Sequence, residues 1–193
     1  MQVKQVAAVA GLAVAMAFSG SAMAVNDSVI SGGVAYTHPI EKGIDGIDID
    51  NQFGLALDYR YFVTKDWAID VDASESRHTF NVGGTGLGSA RLIPLRLTGQ
   101  YYFDTGSAVR PFLGAGLNYT RIESVDFNNA TIEKHGSGGD VLAGAMFDLG
   151  AGLRLTAQVE QLFLKTKLAS SGNALGEAKI NPVVGSLLVG YAF

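Results

Sequence analysis

Ser74, Ser76 and His78 are the residues whose types come closest to a catalytic set, because a serine nucleophile needs a base such as histidine. If this segment is a β-strand, the three side chains lie on one face, about 7 Å from one to the next. That distance is too long for the hydrogen bond through which a base activates a nucleophile. Glu75 points to the opposite face. The sequence therefore predicts that the protein is not an enzyme, and a lipid-modifying enzyme is the least favoured function.

Other patterns that could carry chemistry are equally weak. The chain has no cysteine, which excludes disulfides, thiolate catalysis and cysteine-ligated zinc. The glycine-rich run 83–88 lacks the Lys-Ser/Thr pair of a phosphate-binding loop. Asp45, Asp48 and Asp50 indicate a solvated acidic loop, or one that contacts lipopolysaccharide through divalent ions. We predict no cofactor and no metal site, and the net charge of −4 offers no basic face to nucleic acid.

Charged residues recur at the spacing of β-strands. In "FGLALDYRY", residues 53–61, apolar and aromatic side chains occupy one face, and Asp58 and Arg60 lie on the other. This alternation, which predicts half-buried strands, continues along the chain. The charged residues on the polar faces are Asp58, Arg60, Asp70, Asp72, Arg96, Arg154 and Glu160. Acidic and basic members are nearly balanced, so a narrow interior can hold them as pairs.

The alternating segments are separated by connections of two lengths. Short ones lie at residues 63–66, 104–110 and 150–152, and long polar ones at 39–51, 77–91, 122–139 and 166–181. Short periplasmic turns that alternate with longer extracellular loops are typical of outer-membrane barrels. The sequence therefore predicts an all-β fold, an eight-stranded antiparallel up-and-down transmembrane β-barrel.

The apolar face is predicted to meet lipid. Its aromatic residues lie near strand ends, as in the girdles of membrane barrels. They are Tyr59, Tyr61, Trp67, Tyr101, Phe103, Tyr119, Phe163, Tyr191 and Phe193. A cation on the lipid face would cost about 2–4 kcal/mol at mid-bilayer, so we place the charged face in the lumen as a polar plug. Since eight strands leave an interior that side chains fill, no wide pore is expected.

The N-terminal residues 1–24 read as a cleaved secretory signal peptide. Lys4 precedes an apolar run, and Ala22-Met23-Ala24 matches the small-residue cleavage pattern. Residues 25–193 then form one barrel domain, integral to the outer membrane of a Gram-negative cell.

Three segments resemble the OmpW family of small outer-membrane barrels. They are "RPFLGAGLNYT" (110–120), the terminal "NPVVGSLLVGYAF" (181–193), and "YFVTKDWAIDVDAS" (61–74) followed by His78. The resemblance implies passive passage of small hydrophobic molecules through an apolar pocket at the outer end of the lumen and a lateral gap in the wall. The chain departs from the family at Ile93-Pro94-Leu95, where a Leu-Pro-Pro run is usual.

Apolar residues on the otherwise polar face are the candidates for this passage. Leu142, Leu162, Leu164 and Val184 are predicted at one height near the outer end, with Pro94 in the wall across from them. We interpret them as an apolar vestibule above the polar plug, and packing of the barrel top by loops is the simpler alternative. A non-transporting barrel whose loops contact lipopolysaccharide, host or phage is the alternative function.

The chain ends on Tyr191 and Phe193 at strand spacing. A terminal aromatic of this kind resembles the signal that the barrel-assembly machinery reads. The expected partners are therefore this machinery, outer-membrane lipid and lipopolysaccharide, and small apolar solutes.

Overall fold

The computed structural model describes residues 27–39, 47–49, 51–82, 85–125, 131–132, 135–170 and 173–193. The expected signal peptide lies outside the described residues, as do Asp45, Asp50 and the glycines at 83 and 84. No helix in the described ranges is long and apolar enough to cross a membrane.

Eight long antiparallel strands form a closed barrel. The strands are β1 (Ser28–Pro39), β2 (Ile47–Ile49), β3 (Gln52–Phe62), β4 (Trp67–Val82), β5 (Thr85–Tyr102), β6 (Val109–Val125), β7 (Thr131–Ile132), β8 (His135–Gly150), β9 (Leu153–Ser170), β10 (Asn173–Ile180) and β11 (Pro182–Ala192). Around the barrel the order is β1-β3-β4-β5-β6-β8-β9-β11, and β11 pairs back with β1. The short β2, β7 and β10 pair only with β4 or β9, beyond the barrel wall.

The barrel closes between its first and last strands. Pairing runs from Val29↔Ala192 to Pro39↔Pro182. At the lower end, Ser28 N donates to Phe193 O at 2.9 Å, and Phe193 N donates to Ser28 O at 2.8 Å. The ladder is therefore continued to the last residue, and the barrel has no free edge there.

The predicted short turns are confirmed at the end that we call inner, the periplasmic one. Between β3 and β4, Thr64 Oγ1 accepts hydrogen bonds from the backbone N–H groups of Asp66 and Trp67, at 3.2 and 3.0 Å. Between β8 and β9, Gly150 and Gly152 have φ of 84° and 81°, a conformation that glycine adopts without strain. These turns leave no room for long inner loops.

At the outer end the strands are longer than predicted. Much of the expected loop at 77–91 is strand, because β4 runs to Val82 and β5 starts at Thr85. Likewise β9 continues to Ser170, and β8 begins at His135. Above the membrane no lipid requires one apolar face, so hairpins can extend there without the alternation by which strands are recognised in a sequence.

The molecule is apolar outside and charged inside. Phe53, Leu55 and Leu117 point outward with exposed fractions of 74%, 72% and 70%, whereas Arg60 and Asp70 point inward and are wholly buried. A soluble protein has the opposite arrangement. The surface therefore matches a lipid surrounding.

The aromatic residues predicted for the girdles face outward, and two of them, Phe103 and Phe193, lie just beyond the ends of β5 and β11. At the inner end Trp67 packs on Tyr101 with ring centroids 5.0 Å apart, and Tyr101 packs edge-on against Phe103 at 5.1 Å. At the outer end Tyr36 packs on Phe53 at 4.8 Å. Two aromatic bands thus flank the apolar surface.

Candidate functional site

The inward side chains form three layers. The lower aromatic cluster, at the inner end, consists of Val29, Phe62, Ala68, Tyr102, Phe112, Leu142 and Met146. The charged layer above it consists of Asp58, Arg60, Asp70, Asp72, Arg96, Asp140 and Glu160. The upper apolar cluster consists of Ala35, Ala56, Leu162, Leu164, Val184 and Leu188. Strand alternation positions each member, because every second residue of a barrel strand faces the lumen.

Arg60 of β3 ties the charged layer together from one side. Its Nη2 donates to Asp58 Oδ2 at 2.7 Å, and its Nε lies 3.7 Å from Asp70 Oδ1. Its Nη1 lies 3.4 Å from the hydroxyl of Thr156 in β9, a strand that does not neighbour β3. The guanidinium therefore spans the lumen as well as balancing two carboxylates.

Arg96 of β5 makes a second crossing. It forms a close ion pair with Asp72 of the neighbouring β4, and its Nη1 lies 2.7 Å from Glu160 Oε2 in β9. Strands β6 and β8 separate β5 from β9, so this pair also joins distant parts of the wall. Arg96 Nη2 donates to Ser74 Oγ at 3.4 Å as well. Both arginines are at most 1% exposed.

The lower aromatic cluster closes the lumen beneath the charges. Tyr102 stacks on Phe112 with centroids 4.8 Å apart and contacts Phe62 at 4.9 Å. Its hydroxyl donates to Gln100 Oε1 at 2.8 Å. The Arg60 guanidinium lies over the Phe112 ring at 5.4 Å, an arrangement that favours a cation. Together these layers fill the axis, as expected for eight strands.

The upper apolar cluster contains three of the four aliphatic residues singled out in the sequence. Leu162, Leu164 and Val184 are buried and packed together with Leu188. The cluster lies on the outer side of the charged layer, because β9 ascends from Glu160 to Leu162. The barrel top is thus lined by apolar side chains on the β9 and β11 side.

Leu142 does not join them, which corrects its predicted height. It pairs with Glu160 in β9 and packs in the lower aromatic cluster with Phe112 and Met146. The prediction started this strand at Asp140, whereas β8 starts at His135. Leu142 is therefore in the middle of its strand and not at its outer end.

Arg154 also lies apart from the predicted plug. Its Nη1 donates to Asp148 Oδ1 at 2.8 Å across the turn between β8 and β9. This places it at the inner mouth of the barrel, where the Asp148 side chain is 48% exposed. The first inward residue of an ascending strand necessarily lies at the rim, which explains the correction.

Asp140 is a member of the charged layer that the sequence analysis missed. It is 3% exposed and lies opposite Leu162 in β9. Its position shares the inward side of β8 with Leu142, so strand parity could have identified it. The lower aromatic cluster was missed for the same reason, since Phe62 and Phe112 fall on the polar side of their strands.

Pro94 lies at an interruption of the wall. Pairing between β4 and β5 runs to Ala73↔Leu95 and resumes at Ser76↔Leu92, so the ladder skips Pro94. On its other side Pro94 stays paired with Thr120 of β6. A proline has no N–H to donate to a ladder, which accounts for the interruption.

The hydrolase interpretation gains nothing from the contacts of Ser74. Its hydroxyl accepts a hydrogen bond from Arg96, a permanent cation that cannot take up a proton. The described residues contain no group of three or more His, Asp or Glu side chains placed to hold a metal ion.

A charged belt lies on the outward face near the outer rim. Arg91 forms a close ion pair with Glu75 and lies 3.8 Å from Glu123, which in turn is 3.3 Å from Arg121. These four residues face outward on β4, β5 and β6. They mark the upper limit of the apolar surface, because unshielded charges are disfavoured in lipid.

Comparison with known proteins agrees with this geometry. The OmpW family model matches residues 18–193. Outer membrane protein W of Salmonella typhi is 34% identical over 132 residues, covering 63% of this chain and 62% of that protein, so the match spans less than two thirds of that relative. The dibenzothiophene metabolism operon protein PahQ of Pseudomonas aeruginosa is 30% identical over 157 residues, 76% of this chain and 74% of that protein.

A solved structure shares the fold. The crystal structure of the outer membrane protein OprG from Pseudomonas aeruginosa superposes with a TM-score of 0.69 at 22% identity, covering 88% of this chain and 96% of that one. The closed eight-stranded barrel, its apolar exterior and the family match lead to one assignment. The chain belongs to the OmpW family and is an integral β-barrel of the outer membrane.

Proposed function

We propose that this barrel lets small apolar molecules pass by diffusion from the outside into the upper lumen and from there into the membrane. The observation that carries the proposal is the upper apolar cluster. Leu162, Leu164, Val184 and Leu188 face the lumen at a height where a merely filled barrel could hold polar groups, as it does one layer below. An apolar solute gains free energy by leaving water for such a lining.

The route is proposed to be lateral because the axis is blocked. Below the cluster an apolar solute would meet the cross-lumen pair between Arg96 and Glu160, and then the stacked rings of Tyr102 and Phe112. Breaking a buried ion pair is strongly unfavourable, by about 3–5 kcal/mol. A solute in the upper lumen therefore leaves most easily through the wall at the outer end, where two ladders are interrupted, each at a proline.

The name of one relative agrees with an apolar substrate class. PahQ is named for a dibenzothiophene metabolism operon, and dibenzothiophene is a flat apolar ring compound. We propose molecules of that general chemistry, small and without charge, as the solutes of this chain.

The passage is tested by replacing Leu162→Asp together with Leu164→Asp. Two carboxylates in the cluster would make entry of an apolar solute unfavourable, so uptake of the fluorescent probe N-phenylnaphthylamine by cells is expected to fall to that of cells without the protein. The measurement is the initial rate of fluorescence increase, normalised to the folded barrel seen by its gel mobility without heating.

The matched control is Leu162→Met with Leu164→Met, which keeps apolar volume and is expected to keep uptake. A folded aspartate variant that takes up the probe at the original rate would contradict the proposal.

The alternative function, contact with lipopolysaccharide, is favoured by the charged belt. Arg121 is 55% exposed and Arg91 lies beside it on the outward face, at the level where lipid phosphates are expected. If the aspartate and the methionine variants both fold and neither raises probe uptake above that of cells without the protein, the lipopolysaccharide-binding role is the better explanation.

We also propose that Tyr191 and Phe193 are read during assembly. Phe193→Ala keeps both backbone bonds to Ser28 that close the barrel, so it removes only the aromatic side chain. The expected result is less folded protein in the outer membrane, with unchanged probe uptake per folded molecule. Quantitative immunoblotting of membranes measures the first, and the uptake assay measures the second. Equal amounts of folded protein would argue against an assembly signal.

A further inference from the structure

The wall is interrupted at a second proline, Pro182, where β11 begins beside β9. Pairing with β9 runs up β11 to Val183↔Gln161 and resumes in β10 at Ile180. On its other side Pro182 pairs with Pro39 of β1, so neither residue of that pair can donate a ladder bond. The outer end of β11 is therefore weakly held on both sides.

The side chain of Gln161 covers this interruption. Its Nε2 lies 3.1 Å from the carbonyl oxygen of Leu162, 3.0 Å from that of Asn181 and 3.3 Å from that of Pro182. The amide nitrogen, which carries two hydrogens, thus donates hydrogen bonds to carbonyl groups of both strands at the point where the proline supplies no N–H. The contact joins β9 to the start of β11.

The location of Gln161 is unusual for a polar residue. It stands between Val159 and Phe163 on the outward face of β9, which is apolar from Leu153 upward. A polar group in an apolar surrounding is unfavourable unless it is hydrogen-bonded. The hydrogen bonds to the carbonyl groups at the interruption supply that compensation, and they join β9 to the start of β11.

The residues that flank this interruption are apolar on both sides of the wall, and the nearest charge, Glu160 opposite Val184, is held by Arg96. Inside, Leu162 and Val184 belong to the upper apolar cluster, with exposed fractions of 2% and 1%. Outside, an open groove of about 530 Å³ is lined mostly by apolar residues, among them Gly185, Val159 and the aromatic Phe53. Gly185 follows Pro182 by three positions, so the groove begins about 10 Å down β11 from the interruption.

The seam at Pro94 is lined differently. Its inner side carries Asp72, Ser74 and Arg96, all buried and linked by an ion pair and a hydrogen bond. An apolar solute that left there would have to displace these groups. The lining therefore favours the Pro182 seam.

We propose that apolar solutes leave the upper lumen between β9 and β11, and that Gln161 is the positioning residue that holds this seam closed. The inference rests on the proposed passage function and names its exit. Opening requires that the Gln161 amide release the carbonyl groups near Pro182 and that the first pairs of β11 with β9, at Val183 and Val184, separate. The upper apolar cluster then reaches the outer groove, which begins at Gly185.

The test uses disulfide locks, for which the absence of cysteine from the chain gives a clean background. Gln161→Cys with Val183→Cys locks the proposed exit, because these residues are direct cross-strand partners. Ala73→Cys with Leu95→Cys is the matched control, a direct pair beside Pro94. Directly opposed residues on neighbouring strands have Cα separations of about 4.5–5.5 Å, within the range of a disulfide.

Uptake of N-phenylnaphthylamine is measured in cells before and after reduction. Oxidation of the 161–183 pair is expected to lower the rate to that of cells without the protein, reduction is expected to restore it, and the 73–95 pair is expected to transport in both states. Uptake at full rate with the 161–183 lock closed would overturn the inference, and so would loss of uptake on closing the 73–95 lock. If even the reduced proteins take up no probe, the passage function itself is wrong.

A second variant tests the role of the amide. Gln161→Leu removes the donor, keeps a side chain of similar size and suits the lipid face. The loss of one hydrogen bond is expected to raise the uptake rate by about fivefold. A rate equal to or below the original in folded Gln161→Leu protein would show that the amide does not hold the seam.

Discussion

Replacing Arg96→Met is expected to lower the free energy of unfolding by about 3–5 kcal/mol, one of the two largest effects expected in this barrel. Arg96 is 1% exposed and pairs with Asp72 on one side and with Glu160 across the lumen on the other. Methionine fills the space but leaves both carboxylates without their cation. Removing one partner of a buried ion pair is more harmful than removing the whole pair, because the remaining charge stays desolvated.

The measurement is urea unfolding in detergent or lipid, followed by the fluorescence of the only tryptophan, Trp67. Trp67 lies on the outward face at the inner end of β4, so its emission shifts when the barrel loses its apolar surrounding. Refolding must be shown to be reversible before the midpoints are compared.

Two controls separate charge from volume. Arg154→Met removes an arginine that pairs with the half-exposed Asp148, and an effect below about 1 kcal/mol is expected. Adding Asp72→Asn and Glu160→Gln to Arg96→Met removes the unpaired charges and is expected to restore much of the stability. If Arg96→Met and Arg154→Met are equally stable, the charged layer does not stabilise the barrel in the way described.

The strands and their faces could be predicted because a membrane barrel imposes period-2 alternation on every residue within the lipid. Trp67, Tyr101 and Leu117 face outward for this reason, and Asp58 and Arg60 face inward. The alternation ends where the membrane ends. The start of β8 at His135 was therefore missed.

The contacts across the lumen could not be predicted from the same pattern. Parity places Arg96 and Glu160 inside, but whether they meet depends on the stagger accumulated over β5, β6, β8 and β9. A change of register in any one of these strand pairs would change the height of every inward side chain on the strands that follow. The sequence alone therefore indicated the composition of the charged layer and the upper apolar cluster more accurately than their heights, as Leu142 and Arg154 illustrate.

The layering would let one narrow lumen be rigid below and, under the proposed function, permeable at its outer end. The arginines join strands that are not neighbours, which holds the wall at the level of the charged layer against lateral opening. Above them the cluster around Leu162 and Val184 contributes packing but no cross-lumen ion pair among the described residues. The proposed lateral opening would thus be confined by the charged layer to the outer end, where the two proline interruptions lie.

Gly116→Ala is expected to destabilise the barrel by about 1–3 kcal/mol or more, although it adds a single methyl group. A Cβ at this position in β6 would overlap the backbone carbonyl oxygen of Leu97 and approach both Cα and Cγ2 of Thr98 within 2.7 Å. Two of these atoms belong to the backbone of β5, which cannot move without disturbing its ladder with β6. The folded fraction and the midpoint of urea unfolding are measured, and both are expected to be lower than in the original protein.

The matched control, Gly99→Ala, is expected to have the opposite sign. Gly99 lies on β5 beside Ala115, and nothing stands within 4 Å of the position its Cβ would take. An alanine there restricts the unfolded chain and is expected to stabilise by about 0.4–1 kcal/mol. Both variants replace glycine by alanine, but Gly116 faces the lumen and Gly99 faces outward. The difference between their free energies of unfolding therefore measures how closely the backbones of β5 and β6 approach on the lumen side. Equal effects would mean that Gly116 is not required by that approach.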